Sequence, residues 1–153
     1  MRYELVQAAP SHIVYVASNI AQEDRAETLV MGFSTPLEAL RRSAQASRDT
    51  RAGIVAGHPL VIVGVAQETL TSDVGHPWML GTREVPSHAR AVMEGSREVI
   101  TQYLQWYRLL YNIVDARHTR AVRWLRWLGF TIEPAQPLGP KRALFHKFWM
   151  EMT

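Results

Sequence analysis

The stretch that decides the fold covers residues 114–130 and reads VDARHTRAVRWLRWLGF. It follows an apolar run, 109–114, that is typical of a buried strand. Gly129 can adopt the left-handed conformation that ends a helix, and a short strand over 130–132 follows it. Between these strands the apolar residues recur at helical steps of three and four, and we expect Trp124 and Leu128 among them to be buried: Ala121, Trp124, Leu125 and Leu128. The segment therefore predicts strand, tight loop, helix and strand.

The rest of the chain alternates strands and helices. The run from the strand at 78–80 through a long helix to the strand at 109–114 predicts a right-handed βαβ crossover with two parallel strands. We expect the two strands to diverge at their C-terminal ends. The other predicted strands are 2–9, 51–56, 60–67 and 143–152, and the other predicted helices cover 11–21, 36–44 and 86–107.

Composition excludes several classes of protein. The 153 residues are enough for one domain, which we expect to span 1–153, and no cysteine is available for a disulfide or a thiolate metal site. A net charge of +3 is low for a dedicated nucleic-acid-binding protein. The most apolar stretch, 53–66, is interrupted by Gly-His-Pro and is too short to span a bilayer. We therefore expect neither a nucleic acid nor a membrane as partner.

The segment 118–130 resembles the last helix of the GNAT family of N-acetyltransferases. In that family an Asn begins the helix, a small residue follows three positions later, and the helix ends in Leu-Gly-Phe. Here His118 stands at the Asn position, Ala121 at the small position, and 128–130 supply the ending. Together with 77–82, 111–117 and 123–130, the pattern resembles a bacteriophage and prophage branch of the family that includes internal virion proteins of short-tailed phages.

This resemblance implies a fold and two functions. The fold is an α/β (α+β) domain with a mixed, mostly antiparallel central sheet of six to seven strands, flanking helices and one parallel βαβ crossover. The first function is acetyl-CoA-dependent N-acylation of an unidentified amine on a small molecule or a protein. The alternative is a catalytically degenerate virion or assembly protein that binds phage structural proteins. The implied location is the cytoplasm of a bacterial host or the inside of a virion.

The resemblance also places the cofactor, acetyl-CoA or CoA, between the two parallel strands. In the family its diphosphate binds backbone N–H groups at the start of the following helix, where the helix dipole favours an anion. The family's Gly-rich loop is replaced here by 81–87, so the loop either binds the diphosphate or merely connects strand to helix. Arg117 and Arg120 either hold the 3′-phosphate or form a solvated face. The remaining candidates for cofactor binding are Leu80, Gly81, Thr82, Arg83, His88 and Arg90.

Catalytic candidates follow from the needs of acyl transfer, which requires a base for the amine and an acid for the thiolate. Leu125 stands where many family members have a catalytic Tyr. The substitutes are Glu68, Asn112, Asp115 and His118. His118 is alternatively a helix cap, and Asp115 alternatively forms a salt bridge with Arg117 or Arg120. The six histidines lie singly along the sequence, so no metal site is predicted.

Overall fold

The computed structural model describes residues 2–152 and contains eight strands and five helices within that range. The strands are Tyr3–Gln7 (β1), Ser47–Val55 (β2), His58–Ala66 (β3), Val74–Gly81 (β4), Leu109–Asp115 (β5), Thr131–Ile132 (β6), Gln136–Leu138 (β7) and Ala143–Glu151 (β8). The helices are Pro10–Ser18 (α1), Gln22–Val30 (α2), Pro36–Gln45 (α3), Ala89–Trp106 (α4) and Thr119–Leu128 (α5). A 3₁₀ turn, Val85–His88, precedes α4.

The strands form one sheet in the order β1-β2-β3-β4-β5-β8-β6, and β7 also pairs with β8. All neighbours are antiparallel except β4 and β5. The mixed, mostly antiparallel sheet with one parallel crossover is therefore confirmed. The sheet has eight strands rather than six or seven, because residues 136–138, where no strand was predicted, form β7 and pair with β8.

The parallel pair β4 and β5 is joined only at its beginning. Val74 pairs with Leu109 and Gly75 with Leu110, and the strands then separate, which confirms the predicted divergence. Gly75 lies against a buried ring, since a Cβ atom there would be 2.6 Å from Cδ2 of Tyr107. Only glycine lets the two strands approach at this point, so the junction fixes where the gap begins.

Helices cover both faces of the sheet. On one face, buried residues of α1 and α3 pack against β2, β3 and β4, with Leu40 and Ile62 at the centre. On the other face, α4 and α5 pack against β5 and β8 through Tyr103, Val114 and Phe148. The period-two alternation of strands and the helical period place these side chains on the covered faces. The gap between β4 and β5 therefore lies between two helical layers.

The helix α5 is oriented slightly differently from the sequence prediction. Gly129 has φ of 104° and ends the helix as predicted. Val122, however, is its buried residue, whereas Trp124 and Leu128 are only half-buried. The prediction that Trp124 and Leu128 are buried was wrong, because their side chains line the cavity between β4 and β5.

The structure also divides the predicted first helix. The apolar period suggested one helix over 11–21, but α1 ends at Ser18 and α2 begins at Gln22. The helix α2 was missed because its sequence, QEDRAETLV, is mostly polar and carries a weak apolar stripe. Farther along, the turn at 85–88 delays the long helix, which begins at Ala89 rather than at residue 86.

Stability tests can separate the fully buried from the half-buried side chains of this face. Phe148 is buried and stacks edge-on with Phe130 at 5.1 Å between ring centroids, so Phe148→Ala should lower the free energy of unfolding by ~3–5 kcal/mol. Leu128→Ala should cost less than about 2 kcal/mol because Leu128 is only partly buried. Leu144→Ala, which alters an exposed side chain, serves as the control. Denaturant melts measure all three, and a larger loss for Leu128→Ala than for Phe148→Ala would contradict this packing.

Candidate functional site

A cavity of about 310 Å³ occupies the gap between β4 and β5. Its walls come from both helical layers and are mostly apolar. Residues such as Met31, Phe33 and Trp78 line it on one side, and Val99, Trp124 and Leu125 line it on the other. An apolar pocket with a few convergent polar groups is the usual form of a small-molecule site. The polar groups here are concentrated where the two strands are farthest apart.

The helix α2 spans those separated strand ends with two acidic side chains, one helical turn apart. Asp24 Oδ2 accepts a hydrogen bond of 2.7 Å from the backbone N–H of Gly81, the last residue of β4. Asp24 Oδ1 lies 2.6 Å from Nε2 of His118, at the start of α5. Both Asp24 and His118 are buried. The Asp24 carboxylate thus joins the end of one parallel strand to the helix that follows the other.

His118 fulfils its alternative role as a helix cap and a second role as well. Its Nδ1 accepts from the backbone N–H of Ala121 at 3.4 Å, so in the neutral ring Nε2 carries the hydrogen that Asp24 receives. Burial lowers the pKa of the His118 imidazole, but the hydrogen bond and charge of Asp24, with the charge of Glu27, outweigh burial and raise that pKa above its ordinary value.

Glu27 is the acidic group that titrates near neutrality. It lines the cavity, and its Oε1 accepts a long hydrogen bond of 3.3 Å from the backbone N–H of Asp115 at the end of β5. Burial raises the pKa of Glu27 to about 7, against the opposing charge of His118. A carboxylate with such a pKa can accept a proton at physiological pH, which makes Glu27 a candidate general base.

Of the four predicted catalytic residues, the structure brings three to the gap. Asn112 donates a 2.9 Å hydrogen bond to the carbonyl of Pro77 and so bridges the separating strands with its side chain. Asp115 is buried and accepts from Arg117 Nη2 at 2.7 Å, the alternative salt bridge. Burial raises the pKa of Asp115, but the hydrogen bonds from Arg117 prevail and lower it. Glu68 lies apart, with its side chain 83% exposed and 3.8 Å from His76 Nε2.

The backbone donors after β4 are already used within the protein. The N–H groups of Gly81, Thr82 and Arg83 donate to Asp24, Leu60 and Asn19, and those of Val85 and Ser87 donate within the turn. In the described chain, by contrast, no side chain caps the N-terminus of α4. Orphan N–H groups at a helix N-terminus are an anion site. The helix N-terminus without a side-chain cap is therefore that of α4, whereas the loop directly after Gly81 uses its donors within the protein.

The predicted cofactor-binding side chains differ in position. Leu80 and Gly81 line the cavity, whereas Thr82 is buried beside it and Arg83 is exposed. His88 precedes α4, and Arg90 extends into solvent beside Glu94. Arg117 pairs with Asp115, as described above. Arg120 lines the cavity, pairs with Glu23 at 3.4 Å and lies over the ring of Trp124, with 5.5 Å from Cζ to the ring centroid.

The cluster of Asp24, Glu27 and His118 also has the composition of a metal site. One ligand atom from each residue lies within 4.8 Å of the others. The scattered histidines concealed this cluster, since its carboxylates come from a helix some ninety residues earlier in the sequence. Both oxygens of Asp24 already accept hydrogen bonds, from Gly81 and His118, and Glu27 accepts one from Asp115.

Sequence reasoning missed Asp24 and Glu27. The signal that was available is the i, i+3 spacing of two acidic residues on one face of a short polar helix. No pattern indicated that this face lies against the ends of β4 and β5. Two carboxylates three residues apart are common on solvated helices, and their burial here is a tertiary effect.

Comparisons with known proteins identify the fold. No protein-family model matches the chain, and no curated protein matches it either. Among solved structures, a GNAT-family acetyltransferase from Streptococcus pneumoniae is 16% identical, with 98% of this chain and 99% of that chain covered and a TM-score of 0.61. Ard1 from Thermoplasma volcanium is 18% identical over 100% of this chain and 99% of that chain, with a TM-score of 0.68.

A third similar structure carries ligands. The spermidine N-acetyltransferase from Vibrio cholerae, in complex with CoA and spermine, is 11% identical over 98% of this chain and 95% of that chain, with a TM-score of 0.66. The chain therefore has the fold of the GNAT acetyltransferases. Fold alone does not determine function. No helix in the described range 2–152 has the length and apolar character needed to cross a membrane.

The raised pKa of Glu27 predicts an unusual dependence of stability on pH. The pKa of Glu27 is higher in the folded chain, about 7, than its ordinary value of 4.5, so folding favours the protonated form. The raised pKa of His118 acts in the same direction. Between pH 5 and pH 8 the free energy of unfolding should therefore fall as pH rises, by on the order of 2–3 kcal/mol from Glu27.

Denaturant melts of Glu27→Gln across this pH range test the prediction. The variant should lose most of the slope, because glutamine has no proton to release. Glu98→Gln, which makes the same change on an exposed face of α4, should retain it. An unchanged slope in Glu27→Gln would show that Glu27 does not titrate in this range.

Proposed function

We propose that the protein is an acyl-CoA-dependent N-acyltransferase that acts on an amine. The observation that carries the proposal is Glu27, a carboxylate with a pKa of about 7 on the wall of the cavity between β4 and β5. Neutral-pH acyl transfer to an amine needs a base with such a pKa, because the amine must lose a proton before it attacks. The fold supports the same class of reaction.

The cleft fits acetyl-CoA in the chemistry of its donors. Beyond Gly75, β4 and β5 do not pair in the described residues, so a pantetheine chain can lie along the strand edges there. Its amide groups would replace side-chain partners, since Asn112 holds the Pro77 carbonyl and the Ile113 N–H and His76 binds the Tyr111 carbonyl. The uncapped N-terminus of α4 offers N–H groups to the diphosphate, with Arg90 beside it. Leu80, Gly81, Thr82, Arg83 and His88 surround this path. Arg117 and Arg120, at the start of α5, are the cations that we propose for the 3′-phosphate.

When bound, acetyl-CoA supplies the acetyl group as a thioester. Glu27 accepts a proton from the incoming ammonium group and leaves a nucleophilic amine in the cavity. His118, which lines the cavity and has a raised pKa, is the candidate proton donor for the leaving sulfur in place of the Tyr that Leu125 replaces. Asn112 and Asp115 hold the ends of the gap in position through their hydrogen bonds.

The proposed class of acceptor shares with the ligand of a similar structure only that it is an amine. One of them binds spermine, and we propose for this chain an amine on a small molecule or protein. The resemblance of the sequence to phage and prophage proteins favours the cytoplasm of a bacterial host as the location, or the inside of a virion.

A second function is favoured by two departures from the GNAT pattern. Most N–H groups of 81–87 are engaged within the protein, namely those of Gly81, Thr82, Arg83, Val85 and Ser87, and Leu125 cannot act as an acid. A catalytically degenerate assembly protein that binds phage structural proteins would tolerate both. Binding of the cofactor distinguishes this alternative from the enzyme.

Calorimetry with acetyl-CoA tests the cofactor site. Wild-type protein should bind, and Arg90→Ala should bind about tenfold more weakly, because a charge-assisted hydrogen bond contributes ~1.5–3 kcal/mol and Arg90 is exposed. Arg42→Ala is a matched control, since Arg42 also pairs with a glutamate of its own helix, but on α3. Absence of heat at millimolar acetyl-CoA would refute the enzyme and leave the assembly protein. Equal binding by Arg90→Ala would place the diphosphate elsewhere.

Steady-state acetylation assays distinguish the two candidate bases. Glu27→Gln should lower kcat by ~10²–10⁴-fold and abolish the rise of activity near pH 7, because the proton acceptor is lost. Glu68→Gln should leave activity unchanged, since its side chain is exposed and lies outside the cavity. Added EDTA should have no effect if the cluster holds protons rather than a metal. A large loss in Glu68→Gln alone would make Glu68 the base instead.

A further inference from the structure

We propose that the acceptor is a primary amine with one positive charge on an apolar body, and that this body packs against the cavity wall formed by β4, α3 and the residues after α2. This inference rests on the proposed acyltransferase function and names its substrate class. It excludes polyamines, which carry several charges along an extended chain.

The walls on this side are apolar and aromatic. Met31 and Phe33 follow α2, Trp78 projects from β4, and Ala39 belongs to α3. The indole of Trp78 is held by a hydrogen bond of 2.8 Å from Nε1 to Ser47 Oγ and by packing over Gly64. A rigid aromatic wall binds an apolar body through area removed from water, about 25 cal/mol for each Å².

The available negative charge amounts to one group. Among the cavity-lining residues of the described chain, Asp24 and Glu27 are the carboxylates. Both oxygens of Asp24 already accept hydrogen bonds, from Gly81 and His118. Glu27 accepts one long hydrogen bond and retains capacity for an ammonium group. Glu23, near the cavity, is paired with Arg120.

One available carboxylate matches one ammonium group. A second buried ammonium group would have no partner, and an unpaired charge in an apolar site is strongly disfavoured. The lining cations, Arg120 and His118 when protonated, would repel it further.

Amine binding and turnover test the inference with 2-phenylethylamine and spermine as probes. Ligand-observed NMR should detect 2-phenylethylamine binding to the free protein and to the protein with acetyl-CoA, with spermine at least tenfold weaker. With acetyl-CoA present, kcat/KM should favour 2-phenylethylamine at least tenfold. Phe33→Ala should raise KM for 2-phenylethylamine at least fivefold and leave the affinity for acetyl-CoA unchanged. Leu29→Ala, on the exposed side of α2, is the control.

The outcomes separate this inference from the function on which it rests. If calorimetry detects no acetyl-CoA binding, the acyltransferase fails, but NMR on the free protein still measures the preference of the pocket. Tighter binding of spermine, or no binding of 2-phenylethylamine in either form, would overturn the substrate class. A Phe33→Ala variant that folds, by its circular dichroism and thermal melt, and keeps the wild-type KM would overturn it as well.

Discussion

The structure depends on how briefly β4 and β5 run together. Two residue pairs join them before they separate, and Gly75 at that junction has no room for a side chain against Tyr107. The 18-residue helix α4 must return the chain across one face of the sheet, which sets the direction of both strands. Every functional feature then lies along the resulting gap. The cavity, the uncapped N-terminus of α4 and the polar cluster follow from two strands that pair at their first residues and then separate.

The helix α2 supplies hydrogen-bond acceptors to strand ends that are not paired with each other across the gap. Its Asp24 satisfies the N–H of Gly81 at the end of β4, and its Glu27 accepts from the N–H of Asp115 at the end of β5. Acidic side chains thus replace a strand as partners of two buried donors. The same replacement draws carboxylates out of water and raises the pKa of Glu27. The support of both strand ends and the raised pKa of Glu27 therefore have one origin, the position of α2.

The site differs from the GNAT pattern in a consistent direction. The loop after β4 uses most of its N–H groups within the protein, Leu125 stands where the family pattern has a Tyr, and the carboxylates that line the cavity lie on α2. His118, in the family's Asn position, links this new arrangement to α5 by capping the helix and binding Asp24. The departures are connected, because the Asp24 carboxylate accepts from the Gly81 N–H and also orients the His118 imidazole.

The sequence by itself determined the features that depend on neighbouring residues. Three of these features are local: the helical period over 118–128, the stop at Gly129, and the hydrogen bond from Glu38 N–H to Thr35 Oγ1 at the start of α3. The order strand, helix, strand along the chain likewise predicts that β4 and β5 are parallel. The sequence also indicated Asn112, Asp115 and His118, but tertiary structure decided the rest of the candidate site. It brought α2 to the strand ends, used the N–H groups after Gly81 and left Glu68 exposed. A pKa depends on burial and on charges from distant segments, and a single sequence carries no local pattern for either.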